Sequence, residues 1–426
     1  MKKATWLSMI LLTAMIFILA ACGPDREETG ADEADVSEGE EPEKPESLKV
    51  WVNDDDNQKE FYEEVTEEFT EETGISVEIE HHPMDEQLDK VSLDGPSGNG
   101  PDLFYQPHDM IGEANLQGLV SPIQADEEQL SIYEDSAIEA MSYEGELYGV
   151  PDVTETYALL YNKELVEEAP ETISDLEEIA EELTDASNEE YGFLMEAANF
   201  YYTYPFMTAE GGYVFNQDED GTYDSSDIGL ANEGAVEGAE MIQSWYQNDY
   251  IPKGINDDIL NGLFEDGKVG AVINGTWAVK DYVKAIGSEN LGVAPLPTTD
   301  DGDPLNSFSG VKGWLVSNYS EDKYWASQLG LHITNTENAK KYHEASGQIP
   351  AVTEVVESDV LQENEHFNGF AEQTQYAEPM PNIPEMAQVW EPMGDAHEYI
   401  ADGNDPEEVL NEAVEEIQAE IEMQAK

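Results

Sequence analysis

The sequence predicts an α/β protein with two domains, and three features lead to this prediction. Along the first folded part of the chain, segments with the period-two pattern of strands alternate with segments that have the period of an amphipathic helix. The 426 residues are enough for two domains, each with its own core. Apolar residues make up 40% of the chain, as in a globular protein.

Two segments precede the predicted fold. Residues 1–21 have a charged start and an apolar run that is too short for a comfortable membrane span, as in a signal peptide. The run ends just before Cys22, the only cysteine, which resembles the bacterial lipoprotein signal. Residues 22–47 are acidic and almost without large apolar residues, which predicts a disordered tether. We expect lipidation of Cys22 and anchoring at the extracellular face of the cell membrane through this lipid alone.

The first strands and helices follow from the spacing of apolar residues. Leu48–Val52 is a strand, and the next helix carries Phe61, Val65 and Phe69 at four-residue intervals. Gly74 is the expected end of this helix. The next expected elements are a strand at 75–79, a helix around 87–93 and a strand at 102–105.

This alternation predicts a parallel sheet, in which ligands bind at the carboxyl ends of the strands. Two polar segments occupy such positions, residues 53–56 after the first strand and residues 106–109 after the third. Both segments are therefore expected at the ligand-binding edge of the sheet.

The remaining chain contains further strands and ends in helices. The acidic run at 175–182 is interpreted as the solvated face of a helix and not as a site. A helix is expected to begin at Pro406, because proline after aspartate is typical of a first helical turn. The expected strands are at 148–162, 271–274, 291–297 and 313–317, and the apolar stripe of the last helix is Val409, Ala413, Ile417 and Ile421.

The charge of the chain excludes several classes of partner. The 96 acidic and 17 basic residues give a formal net charge of -79, typical of a saline or alkaline habitat. Such a surface repels nucleic acid and anionic lipid headgroups. The only arginine, Arg26, lies in the expected tether, so the folded part has no guanidinium group with which to clamp an anion. The composition therefore disfavours an anionic ligand.

The segment Asn199–Phe206 has two interpretations. It places five aromatic residues in seven positions, and their spacing is not that of a single helical face. Aromatic rings with polar tips suit a ligand that has an apolar face and a hydroxylated rim, such as a sugar. The alternative is a crowded core helix with tyrosine hydroxyls at its edge.

No constellation of residues indicates catalysis, a metal or a cofactor. Acidic pairs are uninformative in a chain with 96 acidic residues. His81 and His82 have no further His or Cys at ligand spacing. Neither a phosphate-binding loop nor a nucleophile elbow is present. The expectation is a protein that is not an enzyme and that holds no cofactor and no metal.

Six short blocks occur in order along the chain: Pro101–Phe104, His108–Asp109, Tyr157–Lys163, Gly211–Tyr213, Ile273–Ala278 and Met380–Pro384. Together they resemble the maltose/maltodextrin-binding protein family, the extracellular solute receptors of ABC sugar importers. The resemblance extends from about Leu48 to Lys426, and the Ile-Asn-Gly-x-Trp and Met-Pro-Asn-Ile-Pro blocks are the most specific.

The resemblance implies a two-lobed clamp of the kind found in periplasmic binding proteins, with several hinge crossings and the ligand in the cleft between the lobes. The first lobe would comprise residues 48–154 and 309–360, and the second residues 155–308 and 361–426. The implied function is that of a monomeric receptor for maltose and maltodextrins, cyclodextrins among them. It would deliver them to the membrane subunits of an ABC importer.

The resemblance also assigns expected ligand-binding roles to nine residues. Carboxylates and amides would bond sugar hydroxyls, because an acceptor fixes the orientation of a hydroxyl group. Aromatic side chains would stack on sugar rings, and a methionine would fill the groove wall. The hydroxyl-binding residues are Asn53, Asp55, Asp109 and Glu155, the stacking residues are Tyr201, Tyr202, Trp277 and Trp390, and the wall residue is Met380.

Departures from the family pattern leave the ligand open. Gln106 and Glu391 stand where the enteric family member has aromatic side chains, so two stacking surfaces are lost. The length of the sugar chain, its linkage and whether it is linear or cyclic therefore stay open. Two alternatives are a receptor of the same fold for another neutral oligosaccharide or a polyamine, and an extracellular glycoside hydrolase that uses an acid pair.

Overall fold

The computed structural model describes residues 42–218 and 221–424. Residues Lys44–Lys426 belong to one compact unit. The expected signal peptide, Cys22 and most of the expected tether lie outside the described residues, so those expectations stay predictions. None of the helices described here is both long enough and apolar enough to cross a membrane.

Seven strands of the described residues fall close to their expected places, and eight others had no expected position. One sheet contains eleven of these fifteen strands, and two short hairpins contain the rest. The strands are β1 Ser47–Val52, β2 Ser76–His81, β3 Leu103–Pro107, β4 Val120–Ser121, β5 Ser142–Tyr143, β6 Glu146–Leu147, β7 Gly149–Asn162, β8 Tyr191–Leu194, β9 Phe215–Gln217, β10 Tyr223–Ile228, β11 Val269–Gly275, β12 Leu291–Ala294, β13 Phe308–Ser317, β14 Ile349–Pro350 and β15 Glu378–Pro379.

The helices occupy the connections between strands and most of the C-terminal part. Five short 3-10 turns lie at 95–97, 108–110, 186–188, 374–376 and 384–386. The α-helices are α1 Asp56–Thr73, α2 Met84–Asp94, α3 Ile111–Leu116, α4 Glu127–Leu130, α5 Asp135–Ala140, α6 Ile173–Leu183, α7 Phe200–Thr208, α8 Glu233–Gln247, α9 Asp257–Glu265, α10 Thr276–Ile286, α11 Lys323–Ile333, α12 Thr336–Ser346, α13 Thr353–Val356, α14 Asp359–Gln362, α15 Glu365–Gln373, α16 Ala387–Ala401 and α17 Pro406–Gln424.

The large sheet is mixed, and not parallel as the alternation of strands and helices predicted. Its main order is β2-β1-β3-β13-β7-β11-β8. The β1–β2 and β1–β3 pairs are parallel, as expected. However, β13 runs antiparallel to both β3 and β7, and β11 runs antiparallel to β7. The local pattern could not reveal these pairings, because the paired strands lie far apart in the sequence.

Strand β7 joins the two parts of this sheet. Its first half, up to Thr156, pairs with β13. From Tyr157 onward it pairs with β11 and β12 instead. This change of partners falls near residue 155, where the sequence predicted the boundary between lobes, although the lobe boundaries themselves stay a prediction.

Local signals explain the ends of α1. Asp55 precedes the helix in an extended conformation, and its carboxylate accepts a hydrogen bond from the Asn57 N–H at 2.9 Å. Gly74 ends the helix with φ of 80°, a left-handed conformation that favours glycine. The predicted apolar positions Phe61, Val65 and Phe69 are all buried. The helix and its expected end at Gly74 are therefore confirmed.

The aromatic segment forms helix α7 and is mostly core. Phe200, Tyr202, Tyr204 and Phe206 are buried, so the helix is covered on nearly all sides. Only Tyr201 among its aromatic side chains is partly exposed. The crowded core helix is thus the better description of the segment as a whole, because its aromatic side chains pack inside the protein.

Candidate functional site

The polar residues after β1 lie at the expected edge of the sheet, where they also hold two helices in place. The Asn53 Oδ1 atom accepts a hydrogen bond from the Met84 N–H at 3.1 Å, at the start of α2. Asp55 caps α1 and also accepts a hydrogen bond from Gln58 Nε2 at 2.9 Å. Asn53 and Asp55 are partly exposed, so they remain accessible to a ligand while they fix the loop.

These two residues open into a cavity of about 580 Å³, the polar cleft. Its walls come from the loop after β1 and from helices α9 and α10. A hydrogen bond from Asn57 Nδ2 to Asp281 Oδ2, at 2.8 Å, links the two walls. The cleft is lined by Asn53, Asp54, Asp55, Asn57, Gln58, Lys59, Asp257, Asp258, Asn261, Glu265, Trp277, Ala278, Asp281, Tyr282, Lys312 and Gln348.

Trp277 projects into the polar cleft from the first turn of α10, and Gly275 allows this position. A Cβ atom on Gly275 would lie 2.1 Å from atoms of the six-membered ring of Trp277. The indole therefore lies directly against the glycine backbone, where no larger residue fits. This contact is the physical reason for the glycine in the Ile-Asn-Gly-x-Trp block.

The Trp277 ring also meets a lysine that the sequence did not single out. Lys312 Nζ lies 4.9 Å from the ring centroid and 2.6 Å from Glu155 Oε2. The Lys312 and Glu155 side chains are only 16% and 5% exposed. A buried acid, a partly buried ammonium group and an aromatic ring therefore form one series of contacts.

Asp109 and Trp390 form a second acid–tryptophan pair. The Trp390 indole N–H donates a hydrogen bond to Asp109 Oδ2 at 3.1 Å. Burial raises the pKa of Asp109 to about 6, against the opposing effects of backbone and Trp390 hydrogen bonds. Asp109 Oδ1 is buried and has no hydrogen-bonding partner among the described residues. This oxygen is therefore a free acceptor beside the indole ring.

Tyr201 belongs to the same part of the site as Trp390. Both rings pack on Phe308, with centroid distances of 6.1 Å and 6.0 Å. Tyr201 Oη is buried and lacks a partner within the described part of the chain. Burial, with smaller contributions from Glu155 and other groups, holds the pKa of Tyr201 well above its usual value, so the hydroxyl stays a neutral donor. Tyr202 is more deeply buried and packs against Tyr157.

Met380 and Glu155 line a second cavity, the sheet cavity, of about 560 Å³. His108 fixes the backbone here. Its Nδ1 accepts from the Val311 N–H at 3.1 Å, so the proton is on Nε2, which donates to the Met380 carbonyl at 3.0 Å. Burial lowers the pKa of His108 to about 4, which keeps this residue neutral.

The structure brings eight of the nine predicted residues together in three groups. Asn53, Asp55 and Trp277 line the polar cleft, and Glu155 and Met380 line the sheet cavity. Lys312 connects these two groups, because it contacts both Glu155 and Trp277. The third group is the Asp109–Trp390 pair with Tyr201 beside it, while Tyr202 lies in the core. The ligand-binding roles of these residues stay predictions.

Lys312 and Gln348 are two of the polar-cleft residues that the sequence analysis missed. Lys312 interrupts the apolar strand β13, and a lone charge in a buried strand is a signal that could have been used. Gln348 is buried, and its Oε1 atom has no hydrogen-bonding partner in the described residues. No comparable signal marks Gln348, because glutamine is common on surfaces and its burial here depends on the tertiary fold.

Comparisons with known proteins place the chain in a family. Residues 64–369 match the family described as bacterial extracellular solute-binding protein. A galactooligosaccharide-binding protein of Bacillus subtilis (strain 168) is 34% identical over 99% of this chain and 98% of its own length. A maltooligosaccharide ABC transporter solute-binding lipoprotein of Streptococcus pneumoniae (strain ATCC BAA-255 / R6) is 32% identical over 97% of this chain and 96% of its own.

A solved structure agrees in fold. The crystal structure of a cyclo/maltodextrin-binding protein complexed with maltotetraose has a TM-score of 0.74 and 42% identity to this chain. It covers 90% of this chain, which in turn covers 99% of that protein. The α/β fold and the family expected from the six sequence blocks are confirmed. The chain belongs to the bacterial extracellular solute-binding proteins.

Proposed function

We propose that this protein is a receptor for maltodextrin-type oligosaccharides, which it delivers to an ABC importer. The observation that carries the proposal is that two tryptophans are each connected to a buried acid, one directly and one through a lysine. Trp390 donates its N–H to Asp109, and Trp277 contacts Glu155 through Lys312. A sugar ring needs this combination, because its apolar face stacks on an indole while its hydroxyls donate to carboxylates.

Free polar atoms beside these rings support the same proposal. Asp109 Oδ1 and Tyr201 Oη are buried without a partner among the described residues. An unsatisfied buried polar atom costs about 1–3 kcal/mol, and a ligand that supplies the missing hydrogen bond removes this cost. A neutral Tyr201 hydroxyl can donate and ionised Asp109 can accept, so together they suit adjacent sugar hydroxyls.

The identity of the sugar has two candidates. The pneumococcal relative and the solved structure are named for maltooligosaccharides and maltodextrins, which favours α-glucans. The Bacillus subtilis relative is named for galactooligosaccharides and is aligned over 99% of this chain, which favours a galactoside. The two sugars differ in hydroxyl orientation and linkage, so one panel of oligosaccharides separates them.

The charges of the predicted ligand-binding residues favour a neutral ligand over an anion. Arg26, outside the described residues, is the only arginine of the chain, whereas Asp55, Asp109 and Glu155 are acidic. An anion would lose its hydration and meet like charge there. A sugar has no such penalty, and its binding responds weakly to salt because no net charge is neutralised.

The acids of the groove are better suited to binding than to hydrolysis. A glycosidase needs one carboxylic acid as a proton donor and a second carboxylate that faces the sugar. Here Asp109 Oδ2 accepts a hydrogen bond from the Trp390 indole, and Glu155 Oε2 is paired with Lys312 Nζ at 2.6 Å, so these two oxygens are already engaged by the protein. The receptor therefore binds its sugar without turnover, and the energy of binding shifts the equilibrium from an open to a closed form that the permease recognises.

The receptor works as a monomer on the outer face of the cell membrane. Cys22 carries the lipid anchor in this proposal, and the acidic segment after it holds the binding domain away from the membrane. Support comes from the extracellular solute-binding family and from the pneumococcal relative, whose name includes the word lipoprotein.

One binding panel tests this function. The full-length protein in detergent is titrated by calorimetry with maltotetraose, a galactotetraose, a cyclodextrin, a sugar phosphate and spermidine, at low and high salt. We expect tight, salt-insensitive binding of maltotetraose and no release of reducing sugar. Preference for the galactotetraose would select the second candidate. Tight binding of the sugar phosphate, or reducing-sugar release, would overturn the proposal.

A further inference from the structure

Lys312 occupies an unusual place for a lysine. It lies within β13, where most neighbouring side chains are buried, and its own side chain is 16% exposed. Opposite it, β7 contains a bulge, because Lys312 pairs with Val153 while Gly313 pairs with Pro151. Asp152 is the extra residue on β7 and has no register partner. Bulges of this kind re-aim side chains next to functional sites.

One buried acid pairs with the Lys312 ammonium group, and two more lie within its electrostatic range. Glu155 Oε2 lies 2.6 Å from Nζ. Asp109 and Asp152 are also buried, and for both acids burial raises the pKa most while the positive charge of Lys312 lowers it. Without this lysine, the buried Glu155 carboxylate would lose its paired charge.

An aromatic face completes the surroundings of the ammonium group. Nζ lies 4.9 Å from the centroid of the Trp277 ring, within the range of a cation–π contact. An aromatic face opposite a carboxylate is the chemistry by which proteins bind free ammonium ligands. In this structure the chain's own lysine fills that arrangement.

We propose that Lys312 is a specificity-determining residue, whose tethered ammonium group fills an amine-binding position between Trp277 and Glu155 and so reserves the groove for neutral sugars. The statement about sugars rests on the proposed function. The statement about amines is independent of the proposed function, because it concerns only which cation occupies the position between Trp277 and Glu155. The proposal predicts that polyamines are excluded from the cleft even though the chain has a net charge of -79.

Chemical rescue tests this inference. Lys312→Ala removes three methylene groups and the ammonium group, which together correspond to n-propylammonium. We expect the variant to bind free n-propylammonium, whereas the full-length wild-type protein does not. We also expect maltotetraose affinity to fall about tenfold or more in Lys312→Ala, because Glu155 is left unpaired, and to recover when n-propylammonium is added. The neutral analogue n-propanol should not restore it.

Two further variants control for charge and for folding. Lys340→Ala removes an exposed lysine that pairs with Glu354 at 2.7 Å, so it changes the net charge equally. It should neither bind n-propylammonium nor lose sugar affinity. Lys312→Met keeps most of the stem volume and preserves packing if Lys312→Ala unfolds. It should lose sugar affinity, and n-propylammonium should not rescue it, because the methionine fills the space.

The outcomes separate this inference from the proposed function. If the wild-type protein binds no maltotetraose, the proposed function fails, and amine binding to Lys312→Ala alone decides the role of Lys312. If Lys312→Ala binds n-propylammonium no better than wild type, the inference is overturned. Unchanged maltotetraose affinity in both Lys312 variants would also overturn it.

Discussion

The indole N–H of Trp390 donates a hydrogen bond to Asp109 Oδ2 at 3.1 Å, across 281 positions of sequence. This bond ties the acid that follows β3 to a ring carried by α16. Asp109 Oδ2 therefore accepts a hydrogen bond from the indole, whereas Oδ1 has no hydrogen-bonding partner among the described residues. The bond fixes the orientation of the two groups relative to each other.

Trp390→Phe should weaken maltotetraose binding, because phenylalanine keeps an aromatic ring and loses the N–H donor. We expect a loss of about 1.5–3 kcal/mol, the value of a hydrogen bond to a charged group. The pKa of Asp109, about 6 in the intact protein, should rise. Binding that needs ionised Asp109 should then fall at a higher pH than in wild type, as titrations between pH 5 and 8 can measure.

Trp245→Phe is the matched control for this experiment. Trp245 is buried, and its N–H donates to Glu177 Oε1 at 2.7 Å, so the variant also loses an indole–carboxylate bond, but outside the site. It should change thermal stability and leave the pH profile of binding unchanged. Identical pH profiles for Trp390→Phe and wild type would contradict a role for the Asp109 bond in binding.

Gly275→Ala should weaken sugar binding about as much as Trp277→Ala, by roughly 1–3 kcal/mol, as for a truncated aromatic anchor. The reason is that the new Cβ atom would lie 2.1 Å from the Trp277 ring, which must move. Gly262→Ala is the control, because nothing lies within 4 Å of its Cβ position. Affinity is measured by calorimetry; Gly275→Ala with wild-type affinity would show that the ring position is unimportant.

Asp152→Asn should stabilise the protein at alkaline pH. Burial raises the pKa of Asp152 from 3.8 to about 7, so the folded protein keeps this proton while the unfolded chain loses it. The free energy of unfolding therefore decreases as pH rises from about 4 to 7, and the full penalty is present above 7. At about 1.4 kcal/mol per pKa unit, it is on the order of a few kcal/mol.

Thermal unfolding at two pH values tests whether the ionisation of Asp152 destabilises the protein as pH rises. The gain in Tm of Asp152→Asn over wild type should be largest near pH 8 and smaller near pH 5. Equal gains at the two pH values would contradict a buried ionised carboxylate. The exposed variant Asp402→Asn, which removes an acid on the protein surface, controls for the change in net charge.

Cys22→Ser should release the protein into the medium with its sugar affinity intact. The expectation rests on the small residues before the only cysteine and on the acidic segment after it. Cell fractionation followed by immunoblotting measures the distribution. Equal membrane retention of the variant would rule out lipidation at this residue as the anchor.

The local sequence pattern predicted those parts of the fold that depend on residues close together in the sequence, such as the position and the end of a helix. Phe61, Val65 and Phe69 placed α1, and Gly74 ended it, because helix period and a left-handed cap are encoded nearby in sequence. The antiparallel place of β13 between β3 and β7 was not predicted, since partners about 150 residues or more apart leave no local trace.

For the candidate site, too, the sequence identified individual residues but not their arrangement in space. The family resemblance assigned Trp277, Trp390 and Asp109 to the site, but only the fold reveals their spatial relation. The aromatic run suggested several stacking residues, yet most of its rings are core, because a fully buried helix needs no single apolar face. Lys312 was missed because its importance depends on acids from β7 and from the turn after β3.

The most direct test of the central claim is a calorimetric titration of the full-length protein with maltotetraose, in parallel with a Trp277→Ala/Trp390→Ala double variant. The account predicts saturable binding to one site in wild type, with no reducing sugar released during prolonged incubation. The folded double variant should show no detectable binding under the same conditions. Maltotetraose binding of equal affinity in the double variant, or hydrolysis by the wild-type protein, would contradict the account.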